Sequence, residues 1–280
     1  MHPLLKWAGG KRQMAPRIAE AFGSPCHDGR IYVEPFVGSG AVFLYRRALG
    51  HVWDAILGDA NGKLIAFHRA VRDDPKGLLD ALHALPGQTD WRDAYTEVRV
   101  AFNAGPHEGS LHAARFLWLN RACFNGLYRE NAAGEFNVPI GSYKALSLPS
   151  APHVLEVSLF LQPATLICAD FAATLAWADA GAQVYCDPPY VPLTPTANFT
   201  SYTADGFGAA DQERLASAAR ETAARGARVV ISNHDTPLTR ETLYAPAAGF
   251  THELFEARRS ISHDGNRTPA RELLATIGPA

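Results

Sequence analysis

Short apolar runs rich in β-branched residues recur along the chain, at 31 to 36 (IYVEPF), 55 to 59 (AILGD), 165 to 170 (TLICAD), 183 to 187 (QVYCD) and 228 to 233 (RVVISN). Helical stretches separate them. Strand and helix in alternation predict a mainly parallel sheet with helices on both faces, since a parallel pair needs a crossover long enough to hold a helix. Two late runs, THELFEA at 251 to 257 and ELLATI at 272 to 277, are candidates for further strands, antiparallel ones included. The alternation lapses between Asp59 and Thr165. That gap is far too long for one crossover, and its filling (DPKGLLDALHAL, WRDAYTEVRVAF, LHAARFLWLNRACF) is helical in period. The reading is an α/β chain in which a helical insertion, residues 75 to 150, interrupts a core made of 1 to 74 and 151 to 280.

Composition agrees and excludes some classes. The 280 residues are 47% hydrophobic and 19% charged, as suits an α/β domain with an insertion. No run approaches the roughly eighteen apolar residues of a membrane span, and Met1-His2-Pro3 lacks the head of a signal peptide, so a cytosolic chain with no membrane partner is expected. Cys26, Cys123, Cys168 and Cys186 are scattered, which suggests reduced thiols rather than disulfides or a zinc knuckle. His107 and His112 imitate a zinc-protease helix, but their step is five rather than four and crosses Gly109-Ser110; a loop is expected, with no metal. Net charge is only −2, yet Lys6, Lys11, Arg12 and Arg17 share an acid-free N-terminal stretch, while Arg258, Arg259, Arg267 and Arg271 crowd the other end. On charge alone each cluster is equally a solvated face or a binding patch.

Chemistry enters at the strand ends. Glu34-Pro35-Phe36-Val37-Gly38-Ser39-Gly40-Ala41 sits where the first strand turns into a helix, and Gly38 and Gly40 let backbone approach a ligand at the helix N-terminus. Phe43 stands where a dinucleotide fingerprint has its third glycine. Asp59, ending the next strand, is placed to bind ribose hydroxyls, which points to a nucleoside cofactor; capping the helix that begins NGKLIAF is its other reading. Strand QVYC then ends in Asp187-Pro188-Pro189-Tyr190. The prolines stiffen the backbone so that Asp187 and the Pro188 carbonyl present two acceptors, which suit an exocyclic NH₂ with its two donors. Tyr190 offers a ring on which a planar base can stack.

Five ordered stretches carry a family resemblance: LLKWAGGKR at 4 to 12, VEPFVGSGAVFL at 33 to 44, LNRACFNGLYRENAAGEFNVPIG at 119 to 141, CDPPYVPLTPTANFTSY at 186 to 202 and ISNHDTPLTRE at 231 to 241. Together they closely resemble the Dam-type adenine-specific DNA methyltransferases, with the likeness running on to RRSIS at 258 to 262 and beyond. The resemblance implies a Rossmann-like sheet that binds S-adenosylmethionine, a helical target-recognition insertion, and methyl transfer to adenine N6 within GATC in double-stranded DNA by a monomer. It gives Trp7, Lys11, Phe36, Gly38, Gly40, Asp59 and Asp187 to the cofactor, with Asp170 and Phe171 around its adenine. Asp187, Pro188 and Tyr190 become the catalytic set. In the insertion it assigns base reading to Leu127, Arg129 and Pro139, DNA contact to Asn125, a wedge to Phe124, and the first guanine to Lys6. Arg129 and Lys6 suit guanine, whose O6 and N7 both accept in the major groove, although phosphate contacts would use the same residue types.

Two positions depart from the family pattern. Phe124 replaces a tyrosine, which keeps a stacking ring without its hydroxyl, and Ser142 stands where a basic phosphate contact is common. Two other function classes remain open on sequence: a catalytically silent DNA-binding protein, which should show damage at Asp187 or Gly38, and a methyltransferase for another amine or amide, which would more often carry Asn at 187. Cys186 has no base beside it in sequence and reads as core.

Overall fold

The structure is a computed structural model that describes residues 1–23, 25, 29–52, 54–87, 90–193, 206–257 and 270–279. Cys26, residues 194–202 of the Asp-Pro-Pro-Tyr stretch, and Arg258, Arg259 and Arg267 lie outside them. The strands are β1 (Ile31–Glu34), β2 (Asp54–Asp59), β3 (Ala164–Cys168), β4 (Gln183–Cys186), β5 (Arg228–His234), β6 (Thr251–Ala257) and β7 (Ala270–Ile277). They form one sheet in the order β3-β2-β1-β4-β5-β7-β6. The first five run parallel, and β7 pairs antiparallel with both β5 and β6. This is a Rossmann-like α/β architecture. The chain leaves β1 toward β2 and β3 and returns at β4, so the carboxyl ends of β1 and β4 flank the point where strand order reverses, the place where open α/β sheets bind ligands.

Helices cover both faces. On one lie α1 (Ala15–Ala21), α2 (Ala41–Ala48), α3 (Gly62–Asp73) and α7 (Ala151–Leu161); on the other lie α8 (Phe171–Leu175) and α9 (Ala209–Ala224). Their starts are written locally. Asn61 caps α3 by accepting from Leu64 N at 3.0 Å, and Asp59 instead accepts from Asn61 N, so the capping reading of Asp59 passes to its neighbour. Asp170, expected at the end of the third strand, is the cap of α8, its side chain accepting from Ala172 N.

Between α3 and α7 come α4 (Pro75–His83), α5 (Trp91–Ala104) and α6 (Gly109–Ala122). Buried Trp91, Tyr95, Val98 and Phe102 make one stripe along α5, as a surface helix requires. Helix α6 is buried nearly all round and packs on α3, α4 and α5, so these helices share one apolar core with the α3 face of the sheet. The loop expected across His107 and His112 is shorter than its spacing suggested: α6 begins at Gly109, and His112 stands in its first turn, donating to the Lys63 carbonyl at 3.0 Å. Burial of the His112 ring and of Ala113 and Ala114 after it overrides the weak helix preference of Gly-Ser. Among the described residues no group of three or more His, Cys, Asp or Glu is placed to hold a metal, and no helix is long and apolar enough to cross a membrane.

Candidate active site

Asp187 leaves the end of β4 at the sheet's reversal point with its side chain 20% exposed. Its Oδ1 accepts from Lys11 Nζ and from the Ser232 hydroxyl, each at 2.9 Å, and the Tyr185 hydroxyl lies 2.9 Å behind Ser232. Since Ser232 gives its proton to Asp187, Tyr185 donates to Ser232, and the chain of hydroxyls fixes the carboxylate's direction. Below lies Glu34, 2% exposed, whose carboxyl is pushed well above the ordinary range by burial and then by the Asp187 charge. Glu34 is thereby held neutral while Asp187 remains the acceptor at the surface of the pocket.

The turn after Asp187 is braced from β5 and α9. Asn233 Oδ1 accepts from Val191 N at 2.9 Å, Gln212 Nε2 donates to the Pro189 carbonyl at 2.6 Å, and Asn233 Nδ2 ties to Gln212 Oε1 at 3.2 Å. Among the described residues no donor engages the Pro188 carbonyl. The Tyr190 hydroxyl donates to Glu272 of β7 at 3.0 Å, the His234 ring stands edge-on at 4.8 Å, and the Lys11 ammonium lies 4.5 Å from the ring centre. Lys11 is 7% exposed and also donates to the Gly9 carbonyl at 2.6 Å. The pocket is therefore an acceptor pair beside an aromatic ring, filled on one side by a cation of the chain itself. Cys186 is fully buried with its thiol pushed up by burial, as a core residue.

A second region lies at the ends of β1 and β2. Gly38 adopts φ +48°, and a Cβ there would come within 3.0 Å of the Trp7 indole, so this turn admits only glycine. Both sides of the residue are pinned: Gly38 N donates to Asp59 Oδ2 at 3.1 Å, and His68 Nε2 donates to the Gly38 carbonyl at 2.8 Å. Burial lowers His68 to about 4, so it is the neutral ring that serves as donor. Burial raises Asp59 to about 6 despite those amide contacts. Gly40, in the left-handed region at φ +73°, precedes α2. Beyond Asp59, Phe36 and Phe171 stack at 5.5 Å, and Phe207 closes edge-on at 5.7 Å from Phe36. Arg214 spans Phe171 at 4.8 Å and pairs with Asp170 at 2.9 Å. Neither Phe207 nor Arg214 was singled out by sequence, nor were His68, Ser232, Asn233 and Gln212. For Ser232 and Asn233 the signal was polar residues inside an apolar strand run.

The residues expected on DNA gather elsewhere, after α6. Phe124 and Pro139 are exposed and joined by a Phe124 N to Pro139 O bond of 2.9 Å. Phe124 is 45% exposed, which excludes burial in the core that α4, α5 and α6 share with the sheet. Asn125 takes φ +54°, a left-handed conformation that asparagine tolerates best after glycine, and lifts the tip outward. Gly126 follows at φ +64°, where a Cβ would collide with the Lys6 side chain. Lys6 extends over the Tyr143 ring at 4.1 Å, its pKa lowered by burial and by Arg121. Leu127 is half-buried, and Arg129 lies exposed with Nε donating to Asn137 Oδ1 at 2.8 Å. Ser142 is exposed. Of the N-terminal basic cluster, Arg17 instead pairs with Glu253, and of the C-terminal one Arg271 lies 3.7 Å from Asp235.

A DNA adenine methylase of Vibrio cholerae is 40% identical over 98% of this chain and 95% of its own length, and one of Serratia marcescens is 41% identical over 97% and 96%. A type II methyltransferase of Methanocaldococcus jannaschii is 36% identical over 95% and 94%. Residues 7–261 match one family throughout: the chain belongs to the D12 class N6 adenine-specific DNA methyltransferases.

Proposed function

We propose that this enzyme transfers a methyl group from S-adenosylmethionine to N6 of an adenine rotated out of double-stranded DNA, within GATC, the target implied by the resemblance to Dam-type enzymes. The observation that carries the reading is Asp187 fixed by Ser232 and Lys11 at the reversal point of the sheet, with the open Pro188 carbonyl and the Tyr190 ring beside it.

The residues fit the proposed methyl donor. Gly38 seats its turn against the Trp7 indole, each Asp59 oxygen keeps a lone pair beyond its amide contact for a ribose hydroxyl, and Phe36, Phe171 and Phe207 offer rings to a purine. When bound, the sulfonium supplies an activated methyl group with its own leaving group. Asp170 would hold the adenine edge once Arg214 gives way, and Trp7, lying on the Gly38 turn, would cover the methionine end.

For the base, the chain must first offset unstacking and unpairing, a cost of a few kcal/mol. Exposed Phe124 fills the gap in the stack, Asn125 and Pro139 follow the backbone beside it, and Leu127, Arg129 and Lys6 read neighbouring base edges. In the pocket the flipped ring lies on Tyr190, displacing the Lys11 ammonium from that face. Asp187 and the Pro188 carbonyl then accept hydrogen bonds from the two N6–H groups, and once the N6–methyl bond has formed as the methyl–sulfur bond breaks, the surplus N6 proton passes to solvent. Both hydrogen bonds draw the nitrogen lone pair out of the ring and strengthen as N6 becomes positive, which lowers the barrier selectively at the transition state. Glu34, held neutral, adds no competing negative charge beneath. Incubation with labelled S-adenosylmethionine and duplexes with and without GATC tests the reading: label should enter only GATC duplexes.

A further inference from the structure

The hairpin that carries Arg129 is tied to the cofactor side of the molecule by contacts that none of the roles above uses. Lys63, in the first turn of α3, donates through Nζ to Glu130 Oε1 at 2.8 Å and to the Gly134 carbonyl at the hairpin's closed end. The Tyr128 hydroxyl donates to the same Glu130 oxygen. The pair is sheltered, with Lys63 14% and Glu130 29% exposed, so water screens it less than an ordinary surface pair.

Each end of this clasp is anchored. On the hairpin, Glu130 bridges to Phe136, Asn137 N donates to the Arg129 carbonyl at 3.1 Å, and the Arg129 guanidinium holds Asn137 from the other side. A shift of Glu130 therefore moves Arg129. On the cofactor side, Lys63 stands two residues past Asn61, whose amide donates to Asp59, and the Tyr128 ring stacks on Trp7 at 5.6 Å and on Phe116 at 5.4 Å. Trp7 in turn lies on Gly38. One polar cluster thus links the base-reading hairpin to the turn and carboxylate that face the methyl donor.

We propose that Lys63, Glu130 and Tyr128 are specificity-determining positioning residues: without touching DNA, they index the Arg129 hairpin to the frame that holds the methyl donor. The proposal rests on the reading of Arg129 as a base contact. A bidentate contact depends on two hydrogen bonds aligned together, so a reader free to slide by about an ångström loses selectivity before it loses attraction to DNA.

The test compares kcat/KM on the target duplex with kcat/KM on duplexes carrying one substituted base pair, using labelled S-adenosylmethionine. Arg129→Ala first identifies the base pair at which discrimination depends on Arg129. Tyr128→Phe, which keeps the ring on Trp7, Glu130→Gln and Lys63→Met should each lower discrimination at that pair by roughly tenfold, with other pairs unaffected when rates are normalised to folded enzyme. Lys63→Arg, which restores a cation at the clasp, should recover most of it. If Arg129→Ala relaxes no base pair, the reading of the hairpin fails and the proposal with it. If Arg129→Ala relaxes one and the folded clasp variants leave it intact, or weaken all duplexes equally, the clasp alone is overturned.

Discussion

The Lys11 ammonium lies 2.9 Å from Oδ1 of Asp187 in a site where the lysine is only 7% exposed, so the carboxylate proposed to face the substrate amine is already partnered with a buried cation. Removing either group leaves the other with an incomplete shell. Asp187→Ala should lower unfolding free energy by about 1 to 3 kcal/mol, and adding Lys11→Met should cost less than the sum of the two single changes, because the stranded ammonium is gone. Urea unfolding of the cycle checks this; strictly additive costs would mean that the contact contributes nothing.

Phe124→Ala should leave the melting temperature nearly unchanged, since the ring is 45% exposed. Its loss should appear in base flipping, where a stacking contribution of about 1 to 3 kcal/mol corresponds to roughly a five- to hundredfold fall in the flipped population. A fluorescent adenine analogue at the target position reports it directly. A marked fall in melting temperature with an unchanged signal per bound molecule would remove Phe124 from the wedge role.

Arg129→Ala should relax discrimination at one guanine by about 1 to 3 kcal/mol. Its guanidinium is exposed and, among the described residues, is tied only to Asn137. Uniform weakening across sequences, with a shallower salt dependence, would reassign it to phosphate.

Binding of the methyl donor should depend on pH through Asp59, raised from 3.8 to about 6 by burial. Ribose hydroxyls donate to the ionised carboxylate. Below about pH 6 that carboxylate must first lose a proton, so affinity should weaken by up to tenfold per pH unit as pH falls and level off above it. For the chain without donor the sign is opposite: the folded state holds this proton more tightly, and the group's contribution to stability declines as pH rises from 3.8 toward 6. Calorimetric titration between pH 5 and about 8 of wild type and Asp59→Asn checks the claim. A flat profile in the wild type would contradict it.

What could be read from the sequence was whatever depends on local chemistry. Four- to seven-residue apolar runs became β1, β2, β4 and β5 because burial on both faces leaves a period of its own, and Gly38 and Asp187 stood out because only unusual backbones tolerate such neighbours. Asp170 was misjudged as a strand end: its carboxylate competes for the Ala172 amide and starts a helix instead. The partners of Asp187 were illegible for a different reason. Lys11 and Ser232 reach it only because β5 lies beside β4 and the N-terminal segment folds across the sheet's end, and no local pattern encodes that adjacency. The clasp of Lys63 and Glu130 joins a helix start to an irregular hairpin, again across the fold.

The most direct test of the Asp187 assignment is the yield of N6-methyladenine nucleoside, quantified after digestion of a GATC duplex treated with the donor and either wild type or Asp187→Ala, normalised to folded, DNA-bound enzyme. If Asp187 accepts from the flipped amine, DNA binding persists and the yield falls by at least about a hundredfold, as for loss of a transition-state acceptor. A yield within about tenfold of wild type, where an equally folded and bound variant lacks that acceptor, would contradict the mechanism.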